Sequence, residues 1–218
     1  MAKSKVVSPS EAVKCFRDGM TIMMGGFTNV GSANKFVLEM VKSGLKDIIL
    51  ISNDAGNDKA DGIGTLILQK RVKKLIASHV GLNPQVAVQM NAGELEVELV
   101  PQGTLAERIR CGGTGLGGIL TPTGVGTVVA EGKQVINVNG RDYLLETPLR
   151  ADVAVIKAWK ADEFGNLVYR RAARNFNPIM AMAADIVIAE VEEVVPVGEI
   201  DPDLVMTPGL LVDYVVKM

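Results

Sequence analysis

The stretch Asp18-Gly19-Met20-Thr21-Ile22-Met23-Met24-Gly25-Gly26-Phe27 constrains the fold most. A polar turn leads into a short apolar run, two glycines and an aromatic follow, and Ser32 opens a helical pattern. Carboxyl ends of strands that feed helices are where α/β sheets hold their ligands. Glycine carries no Cβ, so a ligand or a second chain can come close to the backbone there. The run locates a candidate site without naming its chemistry.

The strand-then-helix order repeats. Ser8-Pro9-Ser10-Glu11 predicts a helix to about Arg17, with Ser8 as its cap, Pro9 in the first turn and Glu11 closing a capping box. Thr21–Met24 reads as a strand. Ser32 to Ser43 reads as a helix with Phe36, Val37, Met40 and Val41 on one face and Gly44 as its stop. Ile48-Ile49-Leu50-Ile51 is too apolar for a half-exposed strand and predicts a parallel strand buried on both faces. Helices near Gly64–Lys70 and Pro84–Ala92 alternate with strands at Lys74–Ser78 and Val97–Val100, and Thr104–Arg110 is helical. The alternation predicts an α/β fold: an open, mostly parallel sheet with right-handed crossover helices.

The pattern changes after Gly112. Gly112–Gly118 reads as a glycine-rich loop, either a close-packed connection or a surface where another chain or a ligand presses on bare backbone. Asn139-Gly140, between Gln134–Val138 and Arg141–Leu145, signals a two-residue hairpin. Val153–Lys157 and Leu167–Tyr169 flank a turn at Asp162–Asn166, and Ile186-Val187-Ile188 is another buried strand. β-hairpin additions therefore decorate the C-terminal half. No linker, repeat or low-complexity tract divides residues 1–218, so a single domain is expected.

Composition narrows the function classes. Apolar residues make up 48% of the chain, enough for one large core. The net charge is −2 with both signs interspersed, which lacks the basic stripe that nucleic-acid binding requires. No apolar run is long enough to span a bilayer and no Lys/Arg-flanked apolar segment opens the chain, so no membrane association and a cytoplasmic location are expected. Cys15 and Cys111 are few and distant, as in a reduced protein without disulfides. His79 is the only histidine, which excludes a His-rich metal site within the chain. Any Ser-His-Asp or Cys-His machine would have to use it, and its place after a strand-like run equally suits a structural role. Gly113-x-Gly115-x-x-Gly118 has the letters of a dinucleotide fingerprint, but it follows a helix and lacks an acidic residue at the required distance. Neither a metal nor a cofactor is expected.

Two further runs occupy strand ends: Ser52-Asn53-Asp54-Ala55-Gly56 and Pro101-Gln102-Gly103-Thr104. The amides of Asn53 and Gln102 can donate hydrogen bonds to an oxygen gaining negative charge. Neither can be a nucleophile or a general base. Asn53 also fits an Asx-turn that only ties a loop. Carboxylates are plentiful, yet Glu94, Glu96 and Glu98 alternate toward solvent and none has a glycine-flanked strand-end setting like that of Asn53. The chain offers places to bind and polarise a carbonyl without a nucleophile, as half of a split active site would.

These residues carry a family likeness. Asp18-Gly19-x-x-Ile22-Met23-Met24-Gly25-Gly26-Phe27-x-x-x-Gly31 resembles the signature of the α subunits of family I CoA-transferases, such as the acetate/butyrate–acetoacetate and 3-oxoacid CoA-transferases. The likeness continues through Ser52–Gly56, Gly62-Ile63-Gly64, Pro101–Arg110, Thr123–Thr127, Ala173-Arg174-Asn175-Phe176-Asn177-Pro178 and Thr207-Pro208-Gly209. It covers essentially the whole chain. The position two after Gly31, usually Pro in that family, is Ala33.

The resemblance implies an enzyme subunit that moves CoA between a short-chain or 3-oxo acyl-CoA and a carboxylic acid, by a ping-pong mechanism through a glutamyl-CoA thioester. The nucleophilic Glu belongs to a Ser-Glu-Asn-Gly motif of a partner β subunit, and this chain lacks that tetrapeptide. An α2β2 assembly, acyl-CoA and carboxylic acid substrates and no cofactor besides substrate CoA are implied. So are site roles: Gln102 as oxyanion donor, Asn53, Gly25, Gly26 and Phe27 as substrate-pocket residues, and Gly112, Gly113 and Gly115 at a subunit junction or ligand loop. The forms Gly62-Ile63-Gly64 and Gly115-Leu116-Gly117-Gly118 are similar to enzymes using acetate or butyrate with acetoacetyl-CoA. Ala158-Trp159-Lys160-Ala161-Asp162 is similar to the succinyl-CoA:3-oxoacid branch. The rival reading is a non-catalytic acyl-CoA or small-ligand binding module of the same fold.

Overall fold

The computed structural model describes residues 3–59 and 61–218. In chain order the elements are α1 (Pro9–Ala12), β1 (Thr21–Met24), α2 (Asn34–Lys42), β2 (Ile48–Ser52), α3 (Gly62–Leu68), β3 (Val72–Ala77), α4 (Pro84–Asn91), β4 (Glu96–Leu99) and α5 (Gln102–Thr114). The second half continues with β5 (Ile119–Thr121), β6 (Val135–Val138), β7 (Arg141–Glu146), β8 (Ala151–Asp162), β9 (Leu167–Val168), α6 (Asn177–Met182), β10 (Ala184–Val195) and β11 (Tyr214–Lys217).

The main sheet has the order β11-β10-β8-β1-β2-β3-β4, with β9 paired to β8 off this path. The seven strands along the path are mutually parallel and only β9 runs antiparallel. The mostly parallel α/β sheet expected from the alternation is therefore present. A separate antiparallel sheet, β5-β7-β6, carries the Asn139-Gly140 hairpin.

Strand alternation builds two cores. Ile22 and Met24 of β1 point to the face covered by α2 and α3, among Phe36, Val37, Met40, Leu66 and Ile67. Met23 points to the opposite face, among Leu105, Ile109 and Met180 of α5 and α6. Phe36 is fully buried, and cutting such a ring back to Ala costs about 3–5 kcal/mol. α2 forms because its apolar residues fall on one face, and it stops as Gly44 takes a left-handed φ of +82°.

Three expectations change. Ser8 does accept the Glu11 N–H at 3.2 Å, but the α-helix covers only Pro9–Ala12 before tightening to a 3-10 turn through Cys15. α2 begins at Asn34 rather than Ser32, with Ala33 at its cap position. The Gly112–Gly118 loop starts later than read, because α5 runs through Gly112 and Gly113 to Thr114 and ends on left-handed Gly115, φ +74°. Two interior glycines cost a helix about 1 kcal/mol each. Packing explains them: a Cβ on Gly112 would collide with the Leu149 carbonyl, and one on Gly113 with Met182. What presses on this bare backbone is the chain's own β7–β8 connection and α6.

Candidate functional site

The parallel register carries the site residues to one edge. Met24 pairs with Ser52 and with Val155, Ile51 with Ile76, and Ala77 with Leu99. One residue further along, Gly25 donates its N–H to Val155 O, Ser78 N donates to Asn53 O at 2.9 Å, and Val100 N donates to Ala77 O at 2.9 Å. Gly25, Asn53, Ser78 and Val100 thus form a row across the carboxyl ends of β1 to β4. At the usual strand spacing this row is about 14 Å long. Gln102 lies just past its far end, at the first position of α5, and its side chain is exposed. No side chain caps that helix, so its first N–H groups and the positive end of its dipole sit beside the Gln102 amide.

At the near end of the row the chain makes a tight hairpin. Phe27 N donates to Val30 O at 3.0 Å and Val30 N to Phe27 O at 2.9 Å. The two turn residues, Thr28 and Asn29, both have left-handed φ, +48° and +67°. That is the two-residue hairpin geometry glycine and asparagine favour, and a β-branched threonine adopts it only at a cost. Phe27 is 41% exposed and Val30 49%, so the hairpin holds two apolar side chains out in solvent. They line a cavity of about 260 Å³ with Thr28, Ala172 and Asn175.

Polar side chains from distant segments hold this strained turn. Asp54 Oδ2 accepts the Thr28 N–H at 2.8 Å while its Oδ1 accepts the Gly56 N–H at 2.9 Å. Asn175 Nδ2 donates to Val30 O at 2.8 Å. Asn177, fully buried, donates to Gly31 O and Ala173 O and accepts the Lys157 N–H. The glycines are explained from inside the molecule. A Cβ on Gly25 would collide with the Asn177 side chain, and one on Gly26, φ +123°, with Ser32 Oγ. At these two positions the chain's own side chains fill the space that glycine leaves to a ligand or a second chain. Asp54, Asn175 and Asn177 were not singled out from sequence as bracing residues. Their contacts join segments up to 146 positions apart, which no local spacing signals.

Asn53 is 1% exposed. Its Nδ2 donates to Ser78 Oγ at 3.2 Å, and Ser78 Oγ donates in turn to Asn53 O at 2.7 Å. The amide nitrogen is therefore engaged in tying β2 to β3, while Oδ1 has no partner among the described residues. Asn53 is a loop tie in the free subunit, and Gln102 is the expected site amide that stands open.

The buried glutamates, Glu146 and Glu190, are engaged. Glu190, 2% exposed, accepts the Phe36 N–H at 2.8 Å and pairs with Lys157 at 3.2 Å. It satisfies an N-terminal N–H of α2 where the Ala33 cap cannot. Glu146, equally buried, pairs with Lys133 and lies 3.8 Å from Arg108. Glu96 faces solvent, but Glu98 is only half-exposed and meets both Lys74 and Arg108. Burial pushes the Tyr169 hydroxyl up to about 12 despite its 2.7 Å bond to Thr207, so it stays neutral. Burial also raises the Cys15 thiol, the wrong direction for a reactive thiolate. Cys111 is buried and both cysteines are free. His79 pairs by backbone with Asp54 at the β2–β3 edge, the strand-end placement its sequence context suggested. No described helix is long and apolar enough to cross a membrane.

The coenzyme A transferase family model matches residues 6–218. The chain is 52% identical over 214 residues to the alpha subunit of the acetate CoA-transferase of Escherichia coli K12, covering 98% of this chain and 97% of that protein. It is 50% identical to the alpha subunit of the acetoacetyl-CoA:acetate/butyrate CoA transferase of Clostridium acetobutylicum, with 98% of each covered. It is 53% identical to the corresponding subunit of a probable succinyl-CoA:3-ketoacid coenzyme A transferase of Bacillus subtilis, covering 97% of this chain and 89% of that one. Among solved structures, an acyl-CoA transferase of E. coli O157:H7 in thioester complex with CoA superposes with a TM-score of 0.88 at 22% identity. That match covers 99% of this chain, which spans about half of the longer one, 47%. Glutaconate coenzyme A-transferase of Acidaminococcus fermentans gives 0.85 at 22% identity, over 98% of this chain and 75% of that chain. The two structural matches establish the fold, and the family match with the curated relatives establishes the lineage: the chain belongs to the coenzyme A transferase family and is of its α-subunit type.

Proposed function

We propose that this chain is the α subunit of a heteromeric CoA-transferase that exchanges CoA between a short-chain or 3-oxo acyl-CoA and a carboxylic acid, and that it supplies the oxyanion and pocket residues to a nucleophilic Glu on a β subunit. One observation carries the reading. The Gln102 amide stands exposed at the positive end of α5, while the buried carboxylates near the strand-end row, Asp54 and Glu190, are engaged by backbone N–H groups and Lys157. This edge can stabilise a developing negative charge, and the attack has to come from outside it.

The chemistry follows from those roles. A carboxylate oxygen of the partner attacks the thioester carbonyl carbon, and the carbonyl oxygen becomes an oxyanion. Gln102 Nε2–H donates to it, aided by the uncapped N–H groups of α5. Collapse expels the CoA thiolate and leaves a mixed anhydride. The thiolate then attacks the glutamyl carbonyl, releases the first acid and forms a glutamyl-CoA thioester. A second carboxylic acid runs the same steps backwards. Two covalent intermediates replace one difficult exchange and keep the thioester bond energy. An oxyanion donor of this kind contributes on the order of 3 kcal/mol to the transition state.

An α2β2 assembly accommodates two such split sites. Within it the exposed Phe27–Val30 hairpin walls the acyl pocket and Asn53 holds the pocket floor to β3. The test is CoA exchange between acetoacetyl-CoA and acetate, butyrate or succinate, assayed with this chain by itself and with its β subunit. Exchange only in the complex is expected, and the best acid of the three identifies the substrate branch. An intact complex with no exchange leaves the rival binding-module reading, and exchange by this chain without a partner places the nucleophile here.

A further inference from the structure

The small sheet β5-β7-β6 has two unlike faces, and its register assigns them. Leu120 stands opposite Leu145 and Ile136 opposite Tyr143, so these four side chains share one face, joined by Val138 two residues beyond Ile136. Thr121, Leu144 and Glu146 share the other. That second face is closed from within. Leu144 and Glu146 are buried, and Lys133 pairs with Glu146. A Cβ on Gly124 would touch both Val129 and Leu144. Arg108 of α5 lies 3.8 Å from Glu146 and donates to Thr147 O at 2.8 Å, so the inner face leans on α5.

The first face has no such cover. Leu120 is 42% exposed and Val138 39%, while Leu145, Tyr143 and Ile136 are half-buried. None of the five belongs to the apolar cores of the molecule. An antiparallel sheet that keeps one face in water carries polar side chains there. Here apolar side chains cross all three strands, and contiguous surfaces of that kind mark contacts with other molecules. At the margin the Arg141 guanidinium lies 5.5 Å from the Tyr143 ring centroid. Tyrosine and arginine are among the residues that protein interfaces favour.

The sheet also stands beside Gln102. Leu120 and Thr121 of β5 line a cavity of about 500 Å³ together with Pro101 and Gly103, the residues on either side of Gln102. A chain that brings a carboxylate to Gln102 therefore borders β5. The fold of this chain accounts for 47% of the E. coli O157:H7 acyl-CoA transferase chain, which leaves a little over half of that chain for a second body. Resting on the CoA-transferase reading above, we propose that the face carrying Leu120, Tyr143, Leu145, Ile136 and Val138 is the surface on which the β subunit docks, with Gln102 at its rim. Docking there covers the apolar face and carries the partner's glutamate toward the first turn of α5. The sheet thus acts on assembly and touches no reacting atom.

The first test needs no variant. Hydroxyl-radical oxidation of this chain, with and without its purified β subunit, reads side-chain exposure by mass spectrometry. Oxidation of Leu120 and Tyr143 should be lost in the complex, while Val88, 58% exposed on α4, should be oxidised equally in both. The second test titrates β subunit into variants. Leu120→Asp and Val138→Asp should each raise the Kd of the complex about 10- to 100-fold, and Val88→Asp should leave it unchanged. Protection confined to other surfaces overturns the proposal, as does an unchanged Kd in both sheet variants or the absence of any complex. Protection that grows with the concentration of this chain by itself also overturns it, because a second copy would then be the occupant. CoA exchange is scored separately. A complex protected at the sheet but without exchange refutes the functional reading and leaves the docking surface standing, whereas an exchanging complex protected elsewhere does the reverse.

Discussion

At Asn139-Gly140 and at Thr28-Asn29 the chain makes the same two-residue turn, with φ of +52° and +81° in the first and +48° and +67° in the second. The first closes the β6–β7 hairpin, uses residues that suit left-handed backbone, and leaves open space around Gly140. The second places a β-branched residue where it costs about 1–2 kcal/mol. Buried Asp54 and Asn177, with the half-buried Asn175, hold the loop around it. The same backbone shape is inexpensive on the periphery and strained at the candidate site. Strain persists where surrounding contacts over-determine it, and such places collect at functional sites.

The sharpest way to break this comparison is one methyl group in each loop. Gly25→Ala drives a Cβ into Asn177, a buried side chain with hydrogen bonds on both ends of its amide, so a loss of about 3–5 kcal/mol is expected. Gly140→Ala meets nothing within 4 Å and should cost only the left-handed penalty, about 1–2 kcal/mol. Urea midpoints of the two variants give the difference, and equal midpoints would remove the idea of a braced site. Gln102→Ala, at the opposite end of the strand-end row, should divide its effects the other way. Turnover of the complex should fall about 10²- to 10³-fold while stability moves by less than about 0.5 kcal/mol, because the side chain is exposed. Unchanged turnover would remove its role as oxyanion donor.

A smaller effect sharpens the strain argument. Replacing Thr28-Asn29 with the letters of the other turn, Thr28→Asn with Asn29→Gly, should raise the stability of the isolated subunit by about 1 kcal/mol. A loss would mean that the Thr28 side chain contributes more than its backbone costs. The smallest effect lies between β4 and α5. Burial pushes the Glu98 carboxyl up, but Arg108 and Lys74 outweigh it and hold the group below its ordinary value of 4.5. A carboxylate lowered on folding contributes stability that is full above its unfolded value and is lost as pH falls through the folded one. The stability gap between wild type and Glu98→Gln should therefore be constant near neutral pH and shrink below about 4.5. A gap that widens on acidification would reverse the sign.

The two turns also mark what the sequence discloses. Asn139-Gly140 announces itself locally, as do the strand at Ile48–Ser52 and the helix carrying Phe36, Val37 and Met40, because period and turn chemistry are short-range. The hairpin at Thr28-Asn29 does not, since a β-branched Thr stands at its first position and its geometry is imposed by carboxylate and amide groups distant in the chain. Gly112 and Gly113 mislead for the same reason: glycine pairs signal loops locally, while close approach of Leu149 and Met182 explains them inside a helix. Gln102, Asn53 and the Gly25-Gly26-Phe27 run are found at the strand ends where the pattern puts them. That the Asn53 amide is engaged by Ser78 depends on β2–β3 register and could not be read from spacing.

The central claim is that this chain polarises the carbonyl while another chain attacks it. Intact mass measurement of both subunits tests it most directly, once the complex has met acetoacetyl-CoA without an acceptor acid and been quenched. The expected result is a CoA adduct only on the β subunit, abolished when its Ser-Glu-Asn-Gly glutamate is changed to Gln. A CoA adduct on this chain would contradict the account, because a carboxylate of this chain would be the nucleophile.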